Sequence, residues 1–159
     1  MEPRHMKKLP ISVFIIAKNE ADRIPVAIHS VRDWVDEIHV IDSGSEDDTI
    51  KLSRELGAQT HFRAWSGYGQ QKVFGEAQCR NDWVLNIDAD EEVSPNLRAE
   101  ILALFDGTRG RTAENAAPAC VAYRVPVLPL YPFQDRAHPW TASNHPLRLY
   151  RRSHAGFSD

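Results

Sequence analysis

Apolar and polar positions along the chain form short hydrophobic runs that alternate with stretches of helical spacing. Ile11 to Ala17 is a run of β-branched and apolar residues suited to a strand buried on both faces. Asp22 and Pro25 then offer helix-start chemistry, and Ile24, Ala27, Ile28, Val31 and Val35 recur as the apolar stripe of a helix packed on that strand. Glu37 to Ile41 reads as a second strand, ending in the turn Asp42-Ser43-Gly44-Ser45. Ser45 and Asp48 resemble a capping box for a helix through Leu56, with Gly57 as its stop. Thr60 to Arg63 is a short third strand, followed by a glycine-punctuated loop at Trp65 to Gly69. Gln70 to Cys79 has helical spacing weakened by Gly75. Trp83 to Ile87 is a fourth strand, and Ser94-Pro95 caps a helix carrying Leu97, Ile101, Leu104 and Phe105.

Repeated strand–helix alternation with right-handed crossovers predicts an α/β fold, a mostly parallel sheet with helices on both faces. Residues 107–119 are polar and rich in Ala and Gly, which suggests a mobile loop. Val121 to Val127 and Leu147 to Tyr150 are expected strands of a more irregular second half. The expected organisation is a flexible leader over 1–10 and one domain over 11–159. Within that domain, 11–106 is the ligand-binding half and 107–159 a partial second half.

Composition narrows the function classes only slightly. The net charge of -3 gives no sign of nucleic-acid binding. No apolar segment is long enough to span a membrane. Cys79 and Cys120 are far apart and form no CxxC pattern, so both are read as buried small residues of a cytoplasmic protein.

The chemistry gathers at the strand ends. In an open α/β sheet, ligands bind outside the carboxyl ends of the strands. Those ends carry Lys18-Asn19-Glu20, Asp42-Ser43-Gly44-Ser45 and Asp88-Ala89-Asp90. If the extended backbone persists, Asp88 and Asp90 point to one face, and two such carboxylates repel unless a cation or hydrogen-bond donors separate them. Mg²⁺ or Mn²⁺ suits such oxygen ligands and would neutralise charge on a departing diphosphate. The plainer alternative is a solvated acidic turn at the start of the next helix. The convergence of three polar strand ends favours the metal reading. Asp42 could accept hydrogen bonds from a ribose or base, or simply cap its own turn. Lys72 is either a cation beside a diphosphate or a solvated helix position.

Taken together, Ile11-Ser-Val-Phe-Ile-Ile-Ala-Lys-Asn-Glu20, Val40-Ile-Asp-Ser-Gly-Ser-Glu-Asp-Asp-Thr49 and Trp83-Val-Leu-Asn-Ile-Asp-Ala-Asp-Glu91 resemble family 2 glycosyltransferases of the Rossmann-like GT-A fold. The resemblance runs from Ile11 to about Leu104. With Gly-Tyr-Gly-Gln-Gln-Lys72 it is similar to the bacterial lipopolysaccharide-core β-1,4-glucosyltransferases. It implies that Ala17, Asn19 and Glu20 border the nucleotide base. Asp42 would contact base or ribose, with Ser43, Gly44 and Ser45 shaping the turn. Lys72 would lie near the phosphates, and Asp88 and Asp90 would form the DxD motif at a divalent cation, Mg or Mn. Many relatives have Pro and Tyr where this chain has Ile16 and Lys18.

The resemblance also implies an inverting enzyme of the cytoplasm. It would move a hexose, glucose by analogy, from a UDP-sugar to a lipopolysaccharide-core, lipid-linked or other cell-envelope glycan acceptor. Its general base is supplied beyond the DxD strand, in an acceptor half that runs further in full members. After Glu114 the only carboxylates are Asp135 and Asp159, and neither is assigned as that base. Arg148, Arg151 and Arg152 form a basic cluster that either meets an anionic acceptor or the inner membrane, or is a solvated strand end. His138, His145 and His154 are too scattered for a zinc site. Tyr131, Phe133 and Trp140 either stack on an acceptor sugar or pack their loop down. The rival readings are a nucleotide-sugar-binding module without turnover and a sugar-phosphate nucleotidyltransferase. The second would want a glycine-rich loop after the first strand, and 17–24 holds no glycine.

Overall fold

A computed structural model describes residues 8–106, 120–128 and 145–158. The chain opens with β1 (Leu9–Ala17), α1 (Ile24–Val31), β2 (Val35–Asp42), α2 (Thr49–Glu55) and β3 (Gln59–Phe62). It continues with α3 (Tyr68–Gln78), β4 (Trp83–Asp88), α4 (Pro95–Asp106), β5 (Ala122–Arg124) and β6 (Leu147–Arg151). Strands β3, β2, β1 and β4 pair in parallel, and β6 and β5 extend the sheet antiparallel in the order β3-β2-β1-β4-β6-β5.

The parallel α/β core agrees with the sequence reading, with several local differences. Leu9 and Pro10 belong to β1 rather than to a leader. The first helix stops at Val31, and Val35, expected on its stripe, starts β2 instead. The expected capping box does not form. Asp47, not Ser45, accepts from the Thr49 N–H and hydroxyl, which leaves Ser45 free for other work. Ser94 caps α4 as expected, its hydroxyl accepting from the Leu97 N–H at 3.2 Å. The second-half strand is only Ala122–Arg124, shorter than Val121 to Val127. Cys79 is buried, but Cys120 is exposed. The loop over 107–119, the aromatic residues 131, 133 and 140, His138, Asp135 and Asp159 lie outside the described residues.

One sheet face is apolar. Ile11, Val13, Ile15, Val40, Leu85 and Leu149 are buried in one cluster with Ile24, Ala27, Ile28 and Val31 of α1 and Ile101 of α4. The other face alternates apolar and polar positions, with Ser12, Phe14, Glu37, His39, Asn86, Arg148 and Tyr150 all buried. Helix α3 covers this face, packing on β1 and β2. Gly75 permits the contact, because a Cβ there would sit 2.6 Å from Phe14 Cδ2 and 3.1 Å from Ile41 Cγ1. Alanine would gain helix propensity of about 1 kcal/mol. It would also force a buried ring to move, at roughly 1–3 kcal/mol. Gly75→Ala is therefore expected to lower the thermal midpoint, and a midpoint equal to or above the unaltered chain's would refute this account of the packing.

On the same face, β2 and β3 bring His39 and His61 to 3.0 Å, and His39 Nε2 lies 3.3 Å from Glu37. Burial, with His39 alongside, holds His61 below its ordinary value of 6.5. The unfolded chain therefore takes up a proton that the folded chain resists. Stability from this group is present above about pH 6.5 and declines as pH falls below it. Melts across pH 8 to 5.5 should show that decline, flattened in His61→Gln, while an unchanged slope in the variant would assign the decline elsewhere.

Candidate active site

The carboxyl ends of β1, β2 and β4 meet at one edge of the sheet, in registers that place Ala17 beside Asp42 and Ile16 beside Asp88. The loops after β1 and β2 are joined by side-chain hydrogen bonds. The Asn19 N–H donates to Ser45 Oγ at 2.9 Å, and Asn19 Oδ1 accepts from the Glu46 N–H at 2.8 Å. The Glu20 N–H donates to Thr49 Oγ1 and the Ala21 N–H to Asp47. Asn19 has a φ of 53°, the left-handed conformation that Asn tolerates better than most residues.

Asp42 is buried, and its carboxylate accepts from the Gly44 N–H, the Ser45 N–H and the Ser45 hydroxyl. The turn-capping role of Asp42 is thus realised. Gly44 stands at φ 101°, where a side chain would be strained. Ser43 closes the turn onto β1, its N–H donating to the Ala17 carbonyl at 3.1 Å.

The acidic end of β4 is built around two cations. Lys72 of α3 lies 3.6 Å from Asp88 Oδ1, so the helix places it at the acidic strand end. Its ammonium lies 5.1 Å from the Phe157 ring centroid. Burial pushes Lys72 below the ordinary lysine range, with the Asp88 carboxylate opposing that shift. From the other side, Arg148 of β6 donates to Asp88 Oδ2 at 3.1 Å, Glu91 Oε1 at 2.5 Å and Asn86 Oδ1 at 3.2 Å. The other oxygen of Glu91 accepts from the Asp88 N–H at 2.9 Å. Burial raises the Glu91 carboxyl, while the Asp88 N–H and Arg148 pull it back.

Asp90 is 57% exposed, with Arg23 4.0 Å away, and Arg23 also pairs with Glu20 at 2.7 Å. The two aspartates supply hard oxygen donors. Among the described residues no group of three or more His, Cys, Asp or Glu gathers as a metal cage.

The sequence reading missed Arg148 and Glu91. The basic cluster expected of Arg148, Arg151 and Arg152, whether meeting an acceptor or the membrane or solvated at a strand end, is corrected at Arg148. Arg148 is buried, Arg151 pairs with Asp82 at 2.7 Å, and Arg152 donates to the Cys79 carbonyl. Strand alternation carried the signal, because Arg148 and Tyr150 share the face opposite Leu147 and Leu149. No helix among the described residues is long and apolar enough to cross a membrane.

A family model for "Glycosyl transferase family 2" matches residues 12–120. An uncharacterised glycosyltransferase of Rickettsia typhi is 42% identical over 154 residues, 97% of this chain and 50% of that protein. The lipopolysaccharide core biosynthesis glycosyltransferase LpsC of Rhizobium meliloti is 40% identical over 107 residues, 62% of this chain and 39% of that protein. The chain spans about half the length of the first of these relatives. A solved structure of glucosyl-3-phosphoglycerate synthase from Mycobacterium tuberculosis with UDP aligns with 58% of this chain and 38% of its own. The identity there is 30% and the TM-score 0.50.

Proposed function

The chain belongs to glycosyl transferase family 2, and we propose that it forms the nucleotide-sugar half of an enzyme that moves a hexose from a UDP-sugar to a cell-envelope glycan. The observation that carries this reading is the meeting of Asp88, Lys72 and Arg148 at the sheet edge that also holds the Asn19 and Asp42 loops. The Asn19 and Asp42 loops would border base and ribose, with Ala17, Glu20 and Ser43 to Ser45 around them. Lys72 would face the diphosphate. Asp88 and Asp90 would hold a divalent cation, which supplies Lewis-acid stabilisation of the departing diphosphate when bound. An acceptor hydroxyl attacks the anomeric carbon, its proton passes to a general base of the acceptor half, the bond to the diphosphate oxygen breaks, and UDP leaves. The name of LpsC supports a lipopolysaccharide-core acceptor, and the UDP held by the mycobacterial synthase supports a uridine donor. A site of action at the cytoplasmic face of the inner membrane belongs to the same proposal.

The alternative is a binding module without turnover. Both oxygens of Glu91, the carboxylate beside Asp88, are already engaged, so it is not placed to take the acceptor's proton. Calorimetric titration of UDP and UDP-glucose, with Mn²⁺ and then with EDTA, tests the donor site. A Mn²⁺-dependent signal supports it, and no binding under any metal condition rejects it. Release of UDP only when a glycan acceptor is added separates transferase from binding module.

A further inference from the structure

Strand β6 contributes one side chain to the acidic strand end from about sixty residues downstream of it. Arg148 lies between Leu147 and Leu149, whose alternation turns its side chain onto the face covered by α3. A buried guanidinium is costly unless its donors are satisfied. Here Nη1 reaches Asn86 Oδ1 within β4, and Nη2 reaches Asp88 Oδ2 at its end and Glu91 Oε1 in the following turn, while Nε is buried with no hydrogen-bond partner among the described residues. Glu91 returns its other oxygen to the Asp88 N–H, so backbone and side chain of Asp88 are fixed by one connected network.

The network leaves the two oxygens of Asp88 unequal. Oδ2 is held by Arg148, and Oδ1 faces Lys72 at the longer distance of 3.6 Å. Asp88 is 40% exposed, whereas Arg148 is 8% exposed. The guanidinium therefore approaches Oδ2 from the protein side, and the Lys72 ammonium faces the other oxygen. Both carboxylates accept from Nη2 while Nη1 donates to Asn86 Oδ1, so the planar guanidinium sets the two carboxylates relative to β4, an orientation that a lysine ammonium does not fix.

We propose that Arg148 is the positioning residue of the DxD site, fixing Asp88 through Oδ2 and Glu91 so that Oδ1 can exchange the Lys72 ammonium for a divalent cation as Lys72 turns to the diphosphate. This rests on the nucleotide-sugar reading above. Residues that orient metal-binding carboxylates typically change metal affinity about ten- to hundredfold when removed.

The test compares the unaltered chain with Arg148→Met and Arg148→Lys, titrating UDP with Mn²⁺ and with EDTA and recording a thermal melt of each. A positioning role predicts that Arg148→Met weakens binding about ten- to hundredfold with Mn²⁺ and changes it less than about twofold in EDTA. Arg148→Lys keeps the buried charge and should fold even where methionine does not. It should recover only part of the Mn²⁺-dependent binding. Equal losses with and without Mn²⁺, or full recovery by lysine, would reduce Arg148 to a structural residue. Binding by Arg148→Met equal to the unaltered chain would overturn the positioning role alone. Failure of the unaltered chain to bind UDP under either condition would overturn the nucleotide reading and this role with it.

Discussion

Asp88→Ala is expected to weaken Mn²⁺-dependent UDP binding about a hundredfold or more, near 3 kcal/mol. The size follows from how Asp88 is held. Its N–H is tied to Glu91, one carboxylate oxygen to Arg148, and the other faces Lys72. A carboxylate fixed in this way meets a cation with little ordering cost, so its removal loses nearly all of the interaction. Asp90 is more exposed and lies 4.0 Å from its nearest cation, Arg23. Asp90→Ala should cost less, about tenfold. Fold stability should barely change in Asp88→Ala, because Arg148 keeps Glu91 and Asn86 as partners. A titration in which Asp88→Ala binds within threefold of the unaltered chain would move the cation site elsewhere.

The largest effect on stability is expected at Glu37, far from that edge. Glu37 is buried near the start of β2 and accepts from the Ser12 hydroxyl and the Arg80 N–H. The Arg80 guanidinium lies 3.5 Å from its second oxygen. These bonds, together with the neighbouring histidine, hold Glu37 below the ordinary carboxylate range despite the opposing effect of burial. Glu37→Ala leaves a buried hydroxyl and a backbone donor without an acceptor. The expected cost is about 3 kcal/mol, or roughly 10 °C in thermal midpoint. Glu37→Gln keeps the shape but turns an amide donor or a neutral oxygen toward these donors, so it should recover only part of the loss. A midpoint within about 2 °C of the unaltered chain in Glu37→Ala would show that water replaces the carboxylate.

The apolar face of the sheet was legible because its signal is local. Ile11 to Ala17 and the stripe of α1 carry their own periodicity, and the buried cluster follows it. Asp88 was legible because it ends an apolar run. The polar face was not. Glu37, His39 and Asn86 are buried polar residues whose hydrogen bonds reach across strands to Ser12, His61 and Arg148, and no local pattern encodes a partner across strands. Lys72 fits two readings in the sequence, and the packing of α3 across that face is what brings it to Asp88. Ser45 misled for a related reason. Its spacing to Asp48 suits a helix cap, but a closer acceptor at Asp42 and a donor at Asn19 take the hydroxyl. Local propensity gave way there to tertiary hydrogen bonding.

The antiparallel entry of β6 beside β4 has a consequence for the order of assembly. Strands β1 to β4 can pair as soon as residue 88 is made, and their connections are short crossovers. At that stage the outer edge of β4 presents unpaired backbone groups, and Asp88 and Glu91 face each other without their guanidinium. Closure waits for residues near 151, across a span whose entropy is lost before the new pairing is gained. On a ribosome adding about 5–20 residues per second, the open edge persists for several seconds. During that interval the β4 edge is open to pairing with another chain, and the arrival of one strand both covers that edge and completes the charge balance of the acidic end.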